Sequence, residues 1–240
     1  MEYKRLPFYE YFANNSEHKI HTEYCRRVVS YKCLLYGESK KYGANYDVYY
    51  SEERQVIEVN FQCTEGIMDW LVNFKFAQKY YDSFVWEGST IQLYVHSGWA
   101  DMYIALKHTI RDEVKDILSI HPEAEIDVIG WSLGSALAQL CAQDLYFNLG
   151  RRVHLFSFGS VRPFKAKEAI VQEYLLNCCC EVYNFADVND IVTYMPPFKH
   201  WKNIRTCDVD LDGKGRKWYK LFKPTKYHTQ YDQPYLYDNY

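Results

Sequence analysis

Two patterns of apolar residues alternate along the chain, and their alternation predicts the fold class. Short runs rich in β-branched and aromatic residues, which are typical of strands, lie at 56–61, 91–95, 126–129, 153–158 and 181–186. Apolar residues at helical spacing occupy 100–120 and 133–149, and Gly150 supplies a natural end for the second helix. Strands that alternate with helices favour a mostly parallel central sheet with helices on both faces.

The pattern changes after Pro196-Pro197. Residues 203–211, the turn Asp212-Gly213-Lys214-Gly215 and residues 217–222 predict an antiparallel hairpin near the end of the sequence. No internal repeat and no Pro/Gly/Ser-rich linker divides the chain, and its 240 residues suit one α/β domain. We therefore expect a single α/β domain over residues 1–240.

Composition excludes several classes of protein. Hydrophobic residues make up 48% and charged residues 25%, as in ordinary globular proteins. The formal net charge of −3 leaves no basic excess to neutralise phosphates, so we expect no nucleic-acid partner. No apolar run approaches the roughly 18 residues of a transmembrane segment.

The N-terminal residues and the spacing of the cysteines indicate a reducing compartment. The first residues are charged but lead into no apolar segment, so no secretory signal is visible. The eight cysteines have no zinc-site spacing, and three of them are consecutive. We expect reduced thiols, no metal, no cofactor and a cytoplasmic location.

The segment Gly130-Trp131-Ser132-Leu133-Gly134 matches the pattern G-x-S-x-G. A β-branched strand leads into it and a helix leads out, which is the setting of a nucleophile elbow. The sharp turn requires glycines because larger side chains would collide, and it raises the Ser132 hydroxyl above the sheet. It also places the Leu133 N–H at a helix N-terminus, where it can donate to an oxyanion. The alternative is a serine N-cap on an ordinary turn.

A serine nucleophile needs a base and an orienting carboxylate, and elbow enzymes order them Ser, acid, His. Asp187 and Asp190 both follow the last strand of the alternating pattern. Of the downstream histidines, His154 falls inside a strand and suits a structural role. His200 lies on the loop after the proline pair, too close to the acid to fold back. His228 lies in a loop-like stretch behind the hairpin, with enough chain to return over the strand ends.

Five segments, in one order, resemble the class 3 lipases, the fungal triacylglycerol lipase type of α/β-hydrolase. Residues 130–134 resemble the serine elbow of that family. The other four are Phe61-Gln62-Cys63-Thr64 with Asp69-Trp70, Val95-His96-Ser97-Gly98-Trp99, Phe158-Gly159-Ser160-Val161-Arg162-Pro163, and Asn189-Asp190-Ile191-Val192 with Met195-Pro196-Pro197. Together they span about residues 56–200, which is most of the chain.

The resemblance implies an α/β-hydrolase fold and hydrolysis of carboxylic esters, with transient contact with a lipid interface. Lipid acyl esters are the favoured substrates, and acylglycerols, phospholipids and small soluble esters all stay open. Ser132 corresponds to the nucleophile. Asp190, as the aspartate of the Asp-x-Val segment, corresponds to the triad acid, and His228 corresponds to the base. The oxyanion hole would use the N–H groups of Leu133 and Thr64.

Two departures from the family keep other functions open. Gln62 stands where the family has arginine, and Cys63 stands where it has glycine. A catalytically silent binding protein with the same fold is therefore one alternative, and acyl transfer to an acceptor other than water is another. Residues 65–76 predict a short helix with an apolar side, either a lid or a helix packed on the core. The aromatic stretch 80–86 suits either an acyl cleft or core packing.

Overall fold

The computed structural model describes residues 3–16, 27–35, 38–61, 77–210, 213–216 and 224–240. Its helices are α1 (Phe8–Ser16), α2 (Ser97–Ile120), α3 (Leu133–Leu149), α4 (Ala169–Asn177) and α5 (Pro224–His228), with 3-10 turns at Ile191–Tyr194 and Pro234–Tyr237. Its strands are β1 (Arg27–Leu35), β2 (Glu38–Ser51), β3 (Val56–Phe61), β4 (Gln78–Trp86), β5 (Ser89–His96), β6 (Glu125–Trp131), β7 (Val153–Phe158), β8 (Phe164–Lys165), β9 (Cys179–Asp187), β10 (Trp201–Lys202) and β11 (Cys207–Val209). Within these ranges no helix is both long and apolar enough to cross a bilayer.

The central sheet is mostly parallel, as the alternating pattern predicts. In the described part of the chain it contains seven strands in the order β1-β2-β3-β6-β7-β9-β11. The five strands from β3 to β11 run parallel to one another, and β1 and β2 are antiparallel additions at one edge. A smaller antiparallel sheet, β10-β8-β5-β4, lies beside it.

Helices cover both faces of the central sheet. Side chains alternate along β7, so Val153 and Leu155 face the core that also contains α2 and α3, while Phe156 and Phe158 face α1. All four side chains are buried. A strand that is buried on both faces has apolar residues at almost every position. The sequence predicts these strands because such continuous apolar runs are easily recognised.

The long predicted elements are confirmed. Each of the five strands of the alternating pattern lies within an observed one, and α3 has the predicted bounds, with Gly150 in the left-handed conformation at its end (φ 66°). The predicted C-terminal hairpin remains a prediction. Its described first arm, β11, pairs in parallel with β9, and residues 211–212 and 217–223 lie outside the described residues.

Candidate active site

Ser132 lies at the sharp turn between β6 and α3. Its backbone has φ 56° and ψ −118°, a conformation that side-chain-bearing residues rarely adopt. A Cβ on Gly130 would lie 2.6 Å from both the carbonyl carbon of Gly134 and the Cα of Ser135. The predicted collision at Gly130 is therefore confirmed, and the turn has the strained geometry of a nucleophile elbow.

Hydrogen bonds to neighbouring elements hold the turn in place. The Ser132 N–H donates to the carbonyl of Phe158, the last residue of β7, at 2.9 Å. The Ser132 carbonyl accepts the N–H of Ser135 at 3.1 Å and also the Ser135 hydroxyl. Leu133 is the first residue of α3, so its N–H has no partner within the helix and lies at the positive end of the helix dipole.

The structure brings Ser132, His228 and Asp190 into one chain of contacts. Nε2 of His228 lies 2.5 Å from Ser132 Oγ, and Nδ1 lies 2.8 Å from Asp190 Oδ2. Because a carboxylate only accepts, Nδ1 carries the ring proton, which leaves Nε2 free to accept the serine O–H. The approach of His228 to the serine is the contact that the order of the residues predicts.

Both oxygens of Asp190 accept hydrogen bonds. Oδ2 accepts His228 Nδ1–H and the hydroxyl of Tyr231 at 2.9 Å, and Oδ1 accepts the Val192 N–H at 3.0 Å, which caps the turn Ile191–Tyr194. Burial, with the nearby Asp190 carboxylate second, raises the pKa of Tyr231 well above its ordinary value. Tyr231 therefore remains a donor to Asp190 at any physiological pH.

Asp187, the other acidic candidate, has different partners. Its Oδ1 accepts the N–H of Asn189 at 2.7 Å, and its own N–H donates to the Tyr231 hydroxyl at 2.9 Å. It shapes the turn that follows β9, whereas Asp190 receives the histidine.

Three residues that sequence reasoning did not assign to the site shape the position of His228. Trp131 stacks on the imidazole at 5.5 Å between ring centroids, and its Nε1–H donates to the His228 carbonyl at 3.1 Å. Gly159 has φ 59°, and a Cβ there would lie 3.0 Å from Cε1 and Nδ1 of His228. Tyr231 donates its hydroxyl to Asp190 Oδ2, the same oxygen that accepts His228 Nδ1–H. His228 itself is the last residue of the short helix α5 rather than part of a loop.

The remaining candidate residues lie elsewhere. His154 is in β7, as predicted, and His200 is half-buried and stacks on Phe198 with 5.8 Å between ring centroids. Thr64, with Gln62 and Cys63, lies outside the described residues, as does the stretch 65–76.

The aromatic stretch 80–86 forms most of β4 and contributes to packing. Phe84 lies 4.6 Å and Trp86 5.7 Å from the ring of Tyr174, measured between centroids. Tyr80 and Val85 are exposed. The structure therefore favours core packing for three side chains of the stretch, those of Tyr81, Phe84 and Trp86.

The three residues are closed off from solvent. Ser132 and Asp190 are 0% exposed and His228 is 3% exposed. At a buried site the effective dielectric constant is lower than in water, so the hydrogen bond between His228 and Asp190 is stronger than it would be in solvent.

Comparisons with known proteins give matches to lipases. The family model described as "Lipase (class 3)" matches residues 58–200. A lipase of Rhizomucor miehei is 24% identical over 242 residues, covering 88% of this chain and 63% of that protein. The chain thus spans less than two thirds of the length of that relative.

Solved lipase structures share the fold. A propeptide complex of Rhizomucor miehei lipase has a TM-score of 0.58 at 21% identity, covering 77% of this chain and 57% of that chain. A mutant of MDLA from Penicillium cyclopium has a TM-score of 0.65 at 18% identity, covering 80% and 75%. A triacylglycerol lipase described as having a serine protease triad at its catalytic centre has a TM-score of 0.62 at 20% identity, covering 85% and 78%. The fold is that of the α/β-hydrolases.

Proposed function

The chain belongs to the class 3 lipase family, and from this premise we propose that it hydrolyses carboxylic esters, with lipid acyl esters as its substrate class. The observation that supports this most is the hydrogen-bonded chain from Ser132 through His228 to Asp190. A strained serine, a histidine in the accepting tautomer and a buried carboxylate together form an activated nucleophile.

In the acylation step, Ser132 Oγ attacks the ester carbonyl carbon while His228 Nε2 takes the hydroxyl proton. Asp190 holds the ring and stabilises the imidazolium that forms, because its carboxylate already accepts Nδ1–H. The tetrahedral intermediate then collapses. The C–O bond to the alcohol breaks, the alcohol leaves with the proton from His228, and the acyl group stays on Ser132.

The negative charge on the tetrahedral oxygen needs donors. We assign the Leu133 N–H as one of them, since it is the first amide of α3 and lies beside the nucleophile. The Thr64 N–H is proposed as the second on the family resemblance alone. Removing one such donor costs about 10²–10³ in turnover in serine hydrolases.

In the deacylation step, His228 takes a proton from water, and the resulting hydroxide adds to the acyl carbon. The second tetrahedral intermediate expels Ser132 Oγ, which regains its proton from His228, and the carboxylic acid leaves. Every proton is returned within the cycle, so no cofactor enters this scheme.

Lipid esters are the proposed substrates because the named relatives are lipases, one of them a triacylglycerol lipase. The burial of Ser132 adds a physical argument. An ester reaches a fully buried hydroxyl only after part of the surrounding chain moves, and binding to an apolar aggregate can supply the free energy for that movement.

The test is hydrolysis of p-nitrophenyl esters of increasing acyl length, below and above the concentration at which they form micelles. The rate should rise with chain length and again with micelle formation. Ser132→Ala should lower turnover by roughly 10⁴–10⁶, whereas Ser119→Ala, a change at an exposed serine of α2, should not.

Other outcomes distinguish the competing functions. A folded protein that binds the esters without turnover would overturn the proposal in favour of a silent binding protein. Acyl product that accumulates on an added alcohol, in place of the free acid, would assign acyl transfer instead.

A further inference from the structure

A second cluster of reactive side chains lies at the edge of the central sheet opposite to Ser132. Glu125 is the first residue of β6, His154 the second of β7 and Cys180 the second of β9. Because these strands are parallel, their amino ends meet at one edge. A carboxylate oxygen, an imidazole nitrogen and the thiol sulfur of these residues lie within 4.8 Å of one another.

The pairing of β9 with β7 brings the cysteine beside His154. Val153 pairs with Cys179 and His154 pairs with Glu181, so Cys180 is an extra residue between two matched pairs. Since Cys180 follows the matched residue Cys179, alternation alone turns its side chain to the face of His154, and the bulge adds Glu181 opposite the histidine. Cys180 is also exposed, while Cys178 and Cys179 beside it are buried.

His154 is held in a fixed orientation within the cluster. Its side chain is 8% exposed, and its ring stacks on Tyr3 at 4.0 Å between centroids, with the planes 7° apart. Nε2 lies 3.3 Å from Glu125 Oε2, and Nδ1 lies 3.3 Å from Glu181 Oε2. Glu181 in turn lies 3.8 Å from Arg5.

We propose that Glu125, His154 and Cys180 bind a divalent cation of the zinc type. The set of one oxygen, one nitrogen and one sulfur ligand suits a borderline-soft metal, whereas Mg²⁺ and Ca²⁺ take oxygen ligands. Three protein ligands with a water in the fourth position complete a tetrahedron. On binding, the Cys180 thiol releases its proton to solvent.

The distances suit this assignment. Ligand atoms about 2.0–2.3 Å from a tetrahedral metal lie roughly 3.3–3.8 Å from one another. The contact of Glu125 with His154 already has this length, and the accessible Glu125 and Cys180 side chains can close the remaining gap. Glu181 faces the nitrogen away from the metal, where a carboxylate commonly orients a ligating histidine.

The site is independent of the proposed ester hydrolysis, since its residues lie at the other end of the strands. The bound metal would join three neighbouring strands at their amino ends. Its ligands come from positions 125, 154 and 180, so no short spacing motif reveals it in the sequence.

The test is titration of the full chain, freed of metal by chelation, with Co²⁺ and then Zn²⁺. We expect Co²⁺ to produce the absorption band of thiolate-to-cobalt charge transfer at one metal per chain, and Zn²⁺ to displace it. Cys180→Ser should abolish the band. Glu125→Gln should weaken binding at least about tenfold, while Glu123→Gln, a change at the exposed neighbouring carboxylate, should leave it unchanged.

Stability gives a second measurement that does not depend on absorption. Zn²⁺ should raise the Tm of the wild-type protein and not that of Cys180→Ser. The assignment is overturned if no charge-transfer band forms, if the band survives in Cys180→Ser, or if Glu125→Gln and Glu123→Gln behave alike. These variants change accessible side chains, so the test does not depend on a substitution of buried His154.

Discussion

At the scale of single residues, two buried aspartates three positions apart hold different partners. Asp190 receives His228, Tyr231 and the Val192 N–H, whereas Asp187 accepts the Asn189 N–H. The difference decides which carboxylate orients the histidine, and it leads to opposite expectations for the same chemical change at the two positions.

Asp190→Asn should lower turnover by about 10⁴, because an amide facing Nδ1 favours the wrong tautomer of His228. Asp187→Asn keeps an acceptor for the Asn189 N–H and should retain most of the turnover. Steady-state kinetics on a short ester, with circular dichroism to verify folding, measures both. The reverse ranking would show that Asp187 is the orienting acid.

His228→Ala should abolish measurable hydrolysis, since no other base lies at hydrogen-bond distance from Ser132 Oγ among the described residues. It should also reduce stability by about 1–3 kcal/mol, because the buried Asp190 loses a charge-assisted partner. His200→Ala, a change at a half-buried loop residue, should retain both activity and Tm. Loss of activity in His200→Ala alone would overturn the assignment of the base.

At the scale of elements, the loop after β7 leaves room for the histidine. Gly159 and Gly150 both have positive φ, but only at Gly159 would a Cβ meet the His228 ring. Each change to alanine should cost about 1–2 kcal/mol of unfolding free energy. Only Gly159→Ala should also lower turnover, by roughly 10², because it displaces the base. Equal turnover in the two variants would contradict this role for Gly159.

The same elements show what local sequence can predict. The elbow at Ser132 was visible because its signal is local: a buried strand, small residues and a helix in immediate succession. The order of acid and base along the chain, together with the family resemblance, then pointed to Asp190 and His228.

Contacts that depend on tertiary structure were not visible. Trp131 over the imidazole and the space at Gly159 arise only when distant segments meet. The antiparallel strand β2 was missed because it is rich in polar residues and tyrosine and lacks a clear apolar alternation. The bulge at Cys180 depends on pairing between strands, which no single segment encodes.

At the scale of the whole molecule, a buried polar cluster joins α1 to the sheet and affects stability. Asp127 is 0% exposed and accepts the hydroxyls of Tyr3 at 2.9 Å and Tyr11 at 2.7 Å, with Arg54 Nη1 at 3.2 Å. Burial raises the pKa of Asp127 to about 6, although Arg54 acts in the opposite direction.

A raised pKa means that the folded protein holds this proton more tightly than the unfolded chain. The contribution of Asp127 to stability is therefore full below about pH 4 and is lost as the pH rises through about 6. Relative to Asp127→Asn, the wild-type protein should lose ~3 kcal/mol of unfolding free energy over this pH range.

Urea unfolding of both proteins from about pH 4 to 7 measures that difference, since other groups titrate alike in the two chains. The change Asp112→Asn, at an exposed aspartate of α2, controls for the loss of a charge. A difference that stays level or grows with pH would contradict the prediction.

The central claim is that Ser132 is a nucleophile activated by His228 and Asp190, and covalent labelling with a fluorophosphonate tests it most directly. Mass spectrometry of peptides from the labelled protein should find a single adduct on Ser132. The adduct should be absent in Ser132→Ala, form far more slowly in His228→Ala and form normally in His200→Ala. A folded wild-type protein that takes no label, or takes it on another residue, would contradict the claim.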